Sequence, residues 1–192
     1  MAPDVLNIAS SLIAIGGSAG SLDALLQILP TLKLDNKTAV VIILHRKNDT
    51  DSVLTMLLDA KSAYPVAEAE DKESIIAGHI YVAPCDYHLL IEHNFSFSLD
   101  DSEKVNFSRP SIDVTFESAA YIFKECLICI ILSGANADGT HGMQVAKHLK
   151  GRAIAQSPAS ATIPFMPQQA IDNLRIDAVL TPKEIAPFLS SL

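Results

Sequence analysis

Short runs of uninterrupted apolar residues alternate along the chain with polar turns and with segments whose apolar positions recur every three or four residues. The first run, Ile8 to Ile15, ends in Gly16-Gly17. Leu22, Leu25, Leu26 and Leu29 then fall at i, i+3, i+4 and i+7, one stripe of a helix that Pro30 closes. A second run, Ala39 to Leu44, is apolar at every position, as a strand covered on both faces must be. Val53, Leu54, Leu57 and Leu58 mark the helix after it. Val66 to Ala69 and His79 to Ala83 read as short strands. Leu89 to Glu92 and Phe95 to Leu99 read as a hairpin turning at His93-Asn94. From Ser111 a helical pattern resumes through Ile112, Phe116, Ala119 and Ala120, and Leu127 to Leu132 is a further interior strand. A polar loop leads to a helix carrying Met143, Ala146 and Leu149, capped by Gly151, before the strand Ala153-Ile154-Ala155. Thr181-Pro182-Lys183-Glu184 has the form of a capping box with proline at the first helical position.

Strands alternating with amphipathic helices predict an α/β fold: a doubly wound, mostly parallel sheet with helices on both faces and a small β-hairpin. The 192 residues suffice for one such domain, expected to span residues 1–192. No stretch is long and apolar enough to span a bilayer, so membrane insertion is not expected. The first basic residue is Lys33 and glycines interrupt the first apolar run, which excludes the pattern of a secretory signal and predicts a cytoplasmic location. The formal net charge of −8, without a dense Lys/Arg run, argues against a nucleic-acid partner. Three cysteines, an odd number, fit free thiols in a reducing compartment. Cys126 and Cys129 have redox-motif spacing, but they fall in an apolar run expected to be a buried strand with the two thiols on opposite faces, which predicts an inert pair.

Ligands of open parallel sheets bind beyond the carboxyl ends of the strands. Three polar residues fall there: Ser18 after the first strand, His45 after the second and Asp138 after Leu127 to Leu132. A serine hydroxyl needs a base to become a nucleophile. A histidine with an unperturbed pKa of about 6.5 is such a base. A carboxylate on its other ring nitrogen fixes the tautomer and stabilises the imidazolium. Ser18 as nucleophile, His45 as general base and Asp138 as the residue orienting His45 therefore predict a serine esterase. Ser18 also precedes a helix start near Ser21, where free N–H groups favour an oxyanion.

Gly16-Gly17-Ser18-Ala19-Gly20 matches G-x-S-x-G, the nucleophile elbow of α/β-hydrolases. In that fold several strands precede the elbow and the order is Ser, Asp or Glu, His, whereas here one strand precedes it and the order is Ser, His, Asp. A dinucleotide site is excluded by the missing G-x-G-x-x-G and by His45-Arg46-Lys47 at the position of the ribose-binding acid. A Walker loop is excluded by the missing Gly-Lys-Ser/Thr. No cofactor is expected. His141, three residues after Asp138, makes no metal site with it and reads as a surface residue of a helix's first turn. Asp113 and Glu117, at i and i+4, read as a solvated helix face, and Arg109 as a part of the cleft wall.

These segments resemble the chemotaxis-type protein-glutamate methylesterases (CheB-type). Ile13 to Gly20 is similar to that family's nucleophile segment, and Leu44-His45 stands where it carries its histidine. Glu68-Ala69-Glu70-Asp71, Gly78 to Pro84, Asp86, His88-Leu89 and Arg109 to Val114 resemble its middle blocks. Leu132-Ser133-Gly134 with Asp138-Gly139 resembles its aspartate loop, and Phe165-Met166-Pro167 with Ala170-Ile171 its C-terminal block. The resemblance implies a parallel α/β fold and hydrolysis of glutamate methyl esters on cytoplasmic helices of chemoreceptors, with glutamine deamidation in some members. It carries the roles of nucleophile, base and orienting carboxylate to Ser18, His45 and Asp138. The family usually begins with a phosphorylatable receiver domain, for which the first strand near Ile8 leaves no room, so an unswitched enzyme is expected. The chain is also similar to versions fused to a receptor methyltransferase, which adds that enzyme to the expected partners. Arg46 and Lys47 replace an apolar neighbour of the histidine and are expected either to attract acidic residues beside the ester or to be solvated. Ala135-Asn136-Ala137 replaces a loop that often contains methionine and glycine. The competing reading is a catalytically silent module that binds receptors or acts as a scaffold, which would need a broken triad.

Overall fold

Ser11–Gly17 (β1) forms the centre of a seven-stranded, all-parallel sheet in a computed structural model that describes residues 7–46 and 51–192, with the backbone alone for 51 and 52. Thr38–Leu44 (β2) lies on one side of it, followed outward by Ile80–Val82 (β4) and Val66–Glu68 (β3). Leu127–Ile131 (β7), Arg152–Gln156 (β8) and Ala178–Leu180 (β9) follow on the other side, giving the order β3-β4-β2-β1-β7-β8-β9. The chain leaves β1 toward β2 and later returns to β7 on its opposite flank. The crevice between those two connections opens at the carboxyl end of β1, the place where such sheets bind ligands.

Alternation along β1 divides the core in two. Leu12 and Ala14 face one layer, built on the helices Ile112–Phe123 (α3), Thr140–His148 (α4) and Phe165–Asn173 (α5). Ile13 and Ile15 face the other, built on Ser21–Ile28 (α1), Asp51–Asp59 (α2) and Pro182–Leu189 (α6). All seven residues of β2 are buried, as its unbroken apolar run requires. His88–Ile91 (β5) and Phe97–Asp100 (β6) form the separate antiparallel hairpin, packed on α3. The predicted α/β class, both helical layers and the hairpin are thus present.

Several local expectations need correction. Ile8 makes only an isolated bridge to Ile76, and β1 begins at Ser11. Helix α1 runs on through Pro30 as a 3-10 turn over Leu29–Thr31, because a proline in the first turn of a 3-10 segment surrenders no needed hydrogen bond. Lys150, not Gly151, takes the left-handed conformation after α4 (φ 69). The N–H of Gly151 reaches Ala146 O (2.8 Å) and that of Lys150 reaches Lys147 O (3.1 Å), a Schellman closure. Gly151 is required for space instead: a Cβ there would lie 3.0–3.2 Å from the carbonyl oxygens of Ala146, Lys124 and Leu127. Cys126 stands in a 3-10 turn before β7 and is exposed. Cys129 alone of that pair is buried, and burial pushes its thiol up. Helix α5 and the three-residue β9 were not expected as elements; the first carries Pro167 inside it and the second is short and half-exposed. The capping box of α6 forms as predicted. Among the described residues no helix is long and apolar enough to cross a membrane.

Candidate active site

The local geometry at the end of β1 is set by residues that have no side chain in the way. A Cβ on Gly16 would collide with Ile112 Cγ2, and one on Gly139 would lie 2.7 Å from the same atom. Both glycines therefore let Ile112, the first residue of α3, wedge between the end of β1 and the start of α4. That contact brings the amino end of α3 onto the loop after β7, where Asp138 lies.

Asp138 is fully buried and acts as a cap for α3 supplied from a different loop. The first N–H groups of a helix have no partner within it, and the N-cap residue Ser111 makes no side-chain bond to its own helix. Asp138 Oδ2 accepts from Ile112 N (2.7 Å) and Oδ1 from Asp113 N (3.1 Å). Ser111 Oγ donates to Oδ1 as well (2.8 Å), as does Asn106 Nδ2 (2.9 Å). The remaining lone pair of Oδ2 takes His45 Nε2 at 2.8 Å. Burial pushes this carboxyl up. The bonds from His45, Asn106 and the two helix N–H groups outweigh that effect and hold it down at about 2. It is a carboxylate under all working conditions. His45 Nε2 must then carry the hydrogen, which leaves Nδ1 of the neutral ring as the acceptor.

His45 follows β2, and its N–H donates to Gly17 O (3.2 Å), which fastens the end of β2 to that of β1. Ser18 follows β1. Its N–H donates to Ser133 O (2.9 Å), and its carbonyl accepts from Ser21 N (3.0 Å) and Ser21 Oγ (2.5 Å), closing the turn into α1. Gly20 makes that turn possible, with φ at 80. A Cβ on Gly134 would lie 3.0 Å from Ser18 Cβ, so the aspartate loop closes directly over the serine. Ser18 and His45 line one cavity of about 330 Å³ with Leu22, Leu44, Val53 and Leu57. Among the described residues no hydrogen bond joins the two side chains.

All three expected residues thus lie at the carboxyl edge of the sheet; the His45–Asp138 pair is closed, and Ser18 faces the same cavity without a bond to it. Three further residues belong to the site and were not foreseen. Asn106 Nδ2 bridges Asp138 Oδ1 and Asp113 Oδ2, the latter at 2.8 Å. Asp113 is buried rather than solvated, and its Oδ1 accepts from Gly142 N (2.7 Å); burial pushes its carboxyl up, and the charge of Asp138 adds to that. Ser111 completes the set. The only sequence signal for them was Ser-Ile-Asp at a helix start, which reads equally as ordinary capping. His88, without a partner in the sequence, is buried between Glu103 O and Ser111 N and steadies the same helix end. His141 is exposed, as expected. Arg46 is not solvated, although it borders the cavity that Ser18 and His45 line. Its side chain is 7% exposed and donates to Glu68 Oε2 (3.1 Å) and Ala83 O (3.0 Å), tying the end of β2 to β3 and β4. Lys47 lies outside the described residues.

A parallel α/β sheet whose central crevice gathers a serine, a histidine and a buried carboxylate defines a class of protein built for acyl-transfer chemistry. The model of the family described as CheB methylesterase matches residues 13–189, and the chain belongs to that family. It is 44% identical over 174 residues to the putative protein-glutamate methylesterase/protein-glutamine glutaminase of Leptospira interrogans serogroup Icterohaemorrhagiae serovar copenhageni, covering 91% of this chain and 90% of that one. It is 34% identical over 188 residues to the protein-glutamate methylesterase/protein-glutamine glutaminase of Thermotoga maritima, covering 96% of this chain and 55% of that longer protein. The crystal structure of the Thermotoga maritima CheB methylesterase catalytic domain superposes with a TM-score of 0.92 at 33% identity, covering 96% of this chain and 99% of that one.

Proposed function

We propose that the protein hydrolyses glutamyl methyl esters on chemoreceptor helices, and deamidates glutamine in the same setting, by a Ser18-His45-Asp138 mechanism. The observation that carries this reading is the 2.8 Å bond from His45 Nε2 to a buried carboxylate held ionised. In the neutral ring that bond leaves Nδ1 as the nitrogen able to accept a proton, and His45 lines the same cavity as Ser18. The ring is used in the opposite sense to chymotrypsin-type proteases, where Nε2 faces the serine.

In the reaction His45 Nδ1 takes the Ser18 hydroxyl proton as Oγ attacks the ester carbonyl. The tetrahedral oxyanion collapses, the proton passes to the leaving methoxide, and methanol departs from an acyl-serine. Water, deprotonated by the same nitrogen, then releases the glutamate and restores Ser18. With glutamine the leaving group is ammonia and the steps are the same. The N–H groups of Ala19 and Ala135 have no acceptor among the described residues, and they follow Ser18 and Gly134, the two residues in closest approach. They are the oxyanion donors of this scheme. The similarity of the chain to relatives named for both activities supports the substrate class.

Methanol release from a methylated receptor fragment tests the reading. Wild type should turn over, and Ser18→Ala should lose on the order of ten-thousandfold or more. Near-normal hydrolysis by the alanine variant would assign the attack to another nucleophile, and the silent-module reading predicts no turnover by either protein.

A further inference from the structure

The N–H groups of Ala19 and Ala135, which have no acceptor among the described residues, each belong to a peptide whose carbonyl is held. A peptide unit is planar, with its N–H opposed to its C=O, so a bond that fixes the carbonyl also aims the N–H. The Ser18 carbonyl accepts from Ser21 N and Ser21 Oγ, and the Gly134 carbonyl accepts from Met166 N (3.0 Å). Both donors are therefore aimed before any substrate arrives.

An oxyanion hole also needs the separation of its donors fixed, and these two stand on different segments, the turn after β1 and the loop after β7. One side chain joins them. Ser133, fully buried at the start of the aspartate loop, has a single hydroxyl hydrogen and lone pairs that accept. Its Oγ lies 2.8 Å from Ala19 O and 3.2 Å from Ile163 O, and accepts from Ile163 N at 2.8 Å; the shorter contact, to Ala19 O, takes the hydrogen. A Cβ on Gly20 would lie 2.8 Å from this Oγ, so the hydroxyl packs directly on the turn that carries Ser18. The main chain around it is bonded at every polar group. Ser133 N donates to Oε1 of buried Gln156 (2.9 Å), Ser133 O accepts from Ser18 N (2.9 Å), and Gly134 N donates to Ile163 O (3.1 Å). The next N–H along the chain is that of Ala135.

A buried serine bonded to main-chain groups is by itself an ordinary core residue. Ser133 differs in which groups those are: one partner belongs to the residue that carries the first donor, and the second donor is two residues further along its own segment. Without Oγ, the Ala19 carbonyl and the Ile163 N–H lose the partner they share, and the turn hangs on the bond from Ser18 N to Ser133 O. We infer that Ser133 is a positioning residue of the reaction: its hydroxyl sets the separation of the Ala19 and Ala135 N–H groups, and with it the fit of the hole to the tetrahedral oxyanion. This rests on the reading of the site as a glutamyl esterase and names what holds its oxyanion donors in place.

The test compares wild type with Ser133→Ala and Ser133→Thr. Methanol release from a methylated receptor fragment gives kcat and KM. Inhibition by a boronic acid analogue of the glutamyl side chain, whose tetrahedral adduct with Ser18 puts an oxygen into the hole, gives Ki. Ser133→Ala should lower kcat on the order of a hundredfold, the loss expected when a donor is misplaced by about 1 Å, with KM within about threefold. Ki should rise by about the factor by which kcat/KM falls, because both report on the tetrahedral form. Ser133→Thr keeps the hydroxyl and should hold kcat within about fivefold of wild type. Should the alanine variant not fold, Ser133→Cys, which keeps an atom and a weak donor in that place, should lose at least about tenfold in kcat. An alanine variant that melts at a lower temperature but keeps the wild-type kcat and Ki would make Ser133 a core residue and overturn the inference, as would a loss confined to KM; the esterase reading stands in both cases. If wild type neither releases methanol nor binds the boronic acid, the esterase reading falls and the inference falls with it.

Discussion

Replacing Asp138 by asparagine removes one charge and changes almost no volume, which makes it a sharp probe of how His45 is held. The carboxylate accepts five bonds: Asn106, Ser111 and Asp113 N on Oδ1, His45 and Ile112 N on Oδ2. An amide has one acceptor oxygen. With its oxygen at the Oδ1 position it satisfies three donors and turns an NH₂ toward Ile112 N–H and His45. His45 can answer by taking the other tautomer, accepting at Nε2 and carrying the hydrogen on Nδ1. Nδ1 then cannot take the Ser18 proton. The expected loss in kcat is about ten-thousandfold, about 5 kcal/mol of transition-state stabilisation.

Stability should respond separately. The Asp138 carboxyl is held at about 2 in the fold against an ordinary value of 3.8. A group held below its unfolded value adds stability that is present above the unfolded pKa and lost as pH falls through the folded one. The contribution at neutral pH is about 2 kcal/mol. Asp113 works against it: its raised carboxyl costs stability as pH rises past the unfolded value, and removing the Asp138 charge relieves part of that cost. Asp138→Asn should therefore be less stable than wild type by up to about 2 kcal/mol at pH 7, with the gap closing between about pH 4 and pH 2. Methanol release and urea melts at pH 7 and pH 3 measure both quantities. A folded variant retaining more than about a tenth of the wild-type rate, against the expected ten-thousandfold loss, would refute the claim that Asp138 sets the tautomer. A stability gap that stays constant with pH would refute the account of its ionisation.

Two further substitutions test the surroundings of the site. Gly134→Ala places a Cβ 2.5 Å from Met166 Cε and 3.0 Å from Ser18 Cβ. It should cost about 1–3 kcal/mol in thermal unfolding and lower the rate at least about tenfold by displacing the nucleophile; an unchanged rate would show that Ser18 does not depend on that approach. Arg46→Ala should lower stability by about 1–3 kcal/mol, because it leaves the carbonyl of buried Ala83 without its donor while half-exposed Glu68 turns to water, and the salt dependence of turnover remains that of wild type. A changed salt slope with unchanged melting would return Arg46 to substrate recognition.

Much of this architecture is a consequence of local pattern. The unbroken apolar run of β2 admits only a doubly covered strand, and Leu22, Leu25 and Leu29 admit only a helix laid on the sheet. Ser18, His45 and Asp138 could be singled out because each follows a strand that is legible, Asp138 within the loop after its strand, and a parallel sheet brings such connections to one edge. Where pattern is weak, as in the three-residue β9 or the helix containing Pro167, the reading failed.

What the chain order could not show is which polar group meets which. Asp113 sits at helical spacing from Glu117 and has every local mark of a solvated acid. It is buried because Gly16 and Gly139 let α3 settle on β1 and α4, and that closure is a contact among segments far apart in sequence. The same closure makes Asp138 the cap of a helix it does not belong to, and so determines its ionisation and which ring nitrogen of His45 is bonded to it. Arg46 is the counterpart: beside His45 it reads as a free charge, and only the neighbouring strand ends, which supply Glu68 and Ala83 O, make it a structural tie. The residue types and their places at strand ends follow from the amino-acid sequence alone. Partnership, burial and protonation are properties of side chains brought together by the fold, because they depend on the dielectric and the donors each group meets there.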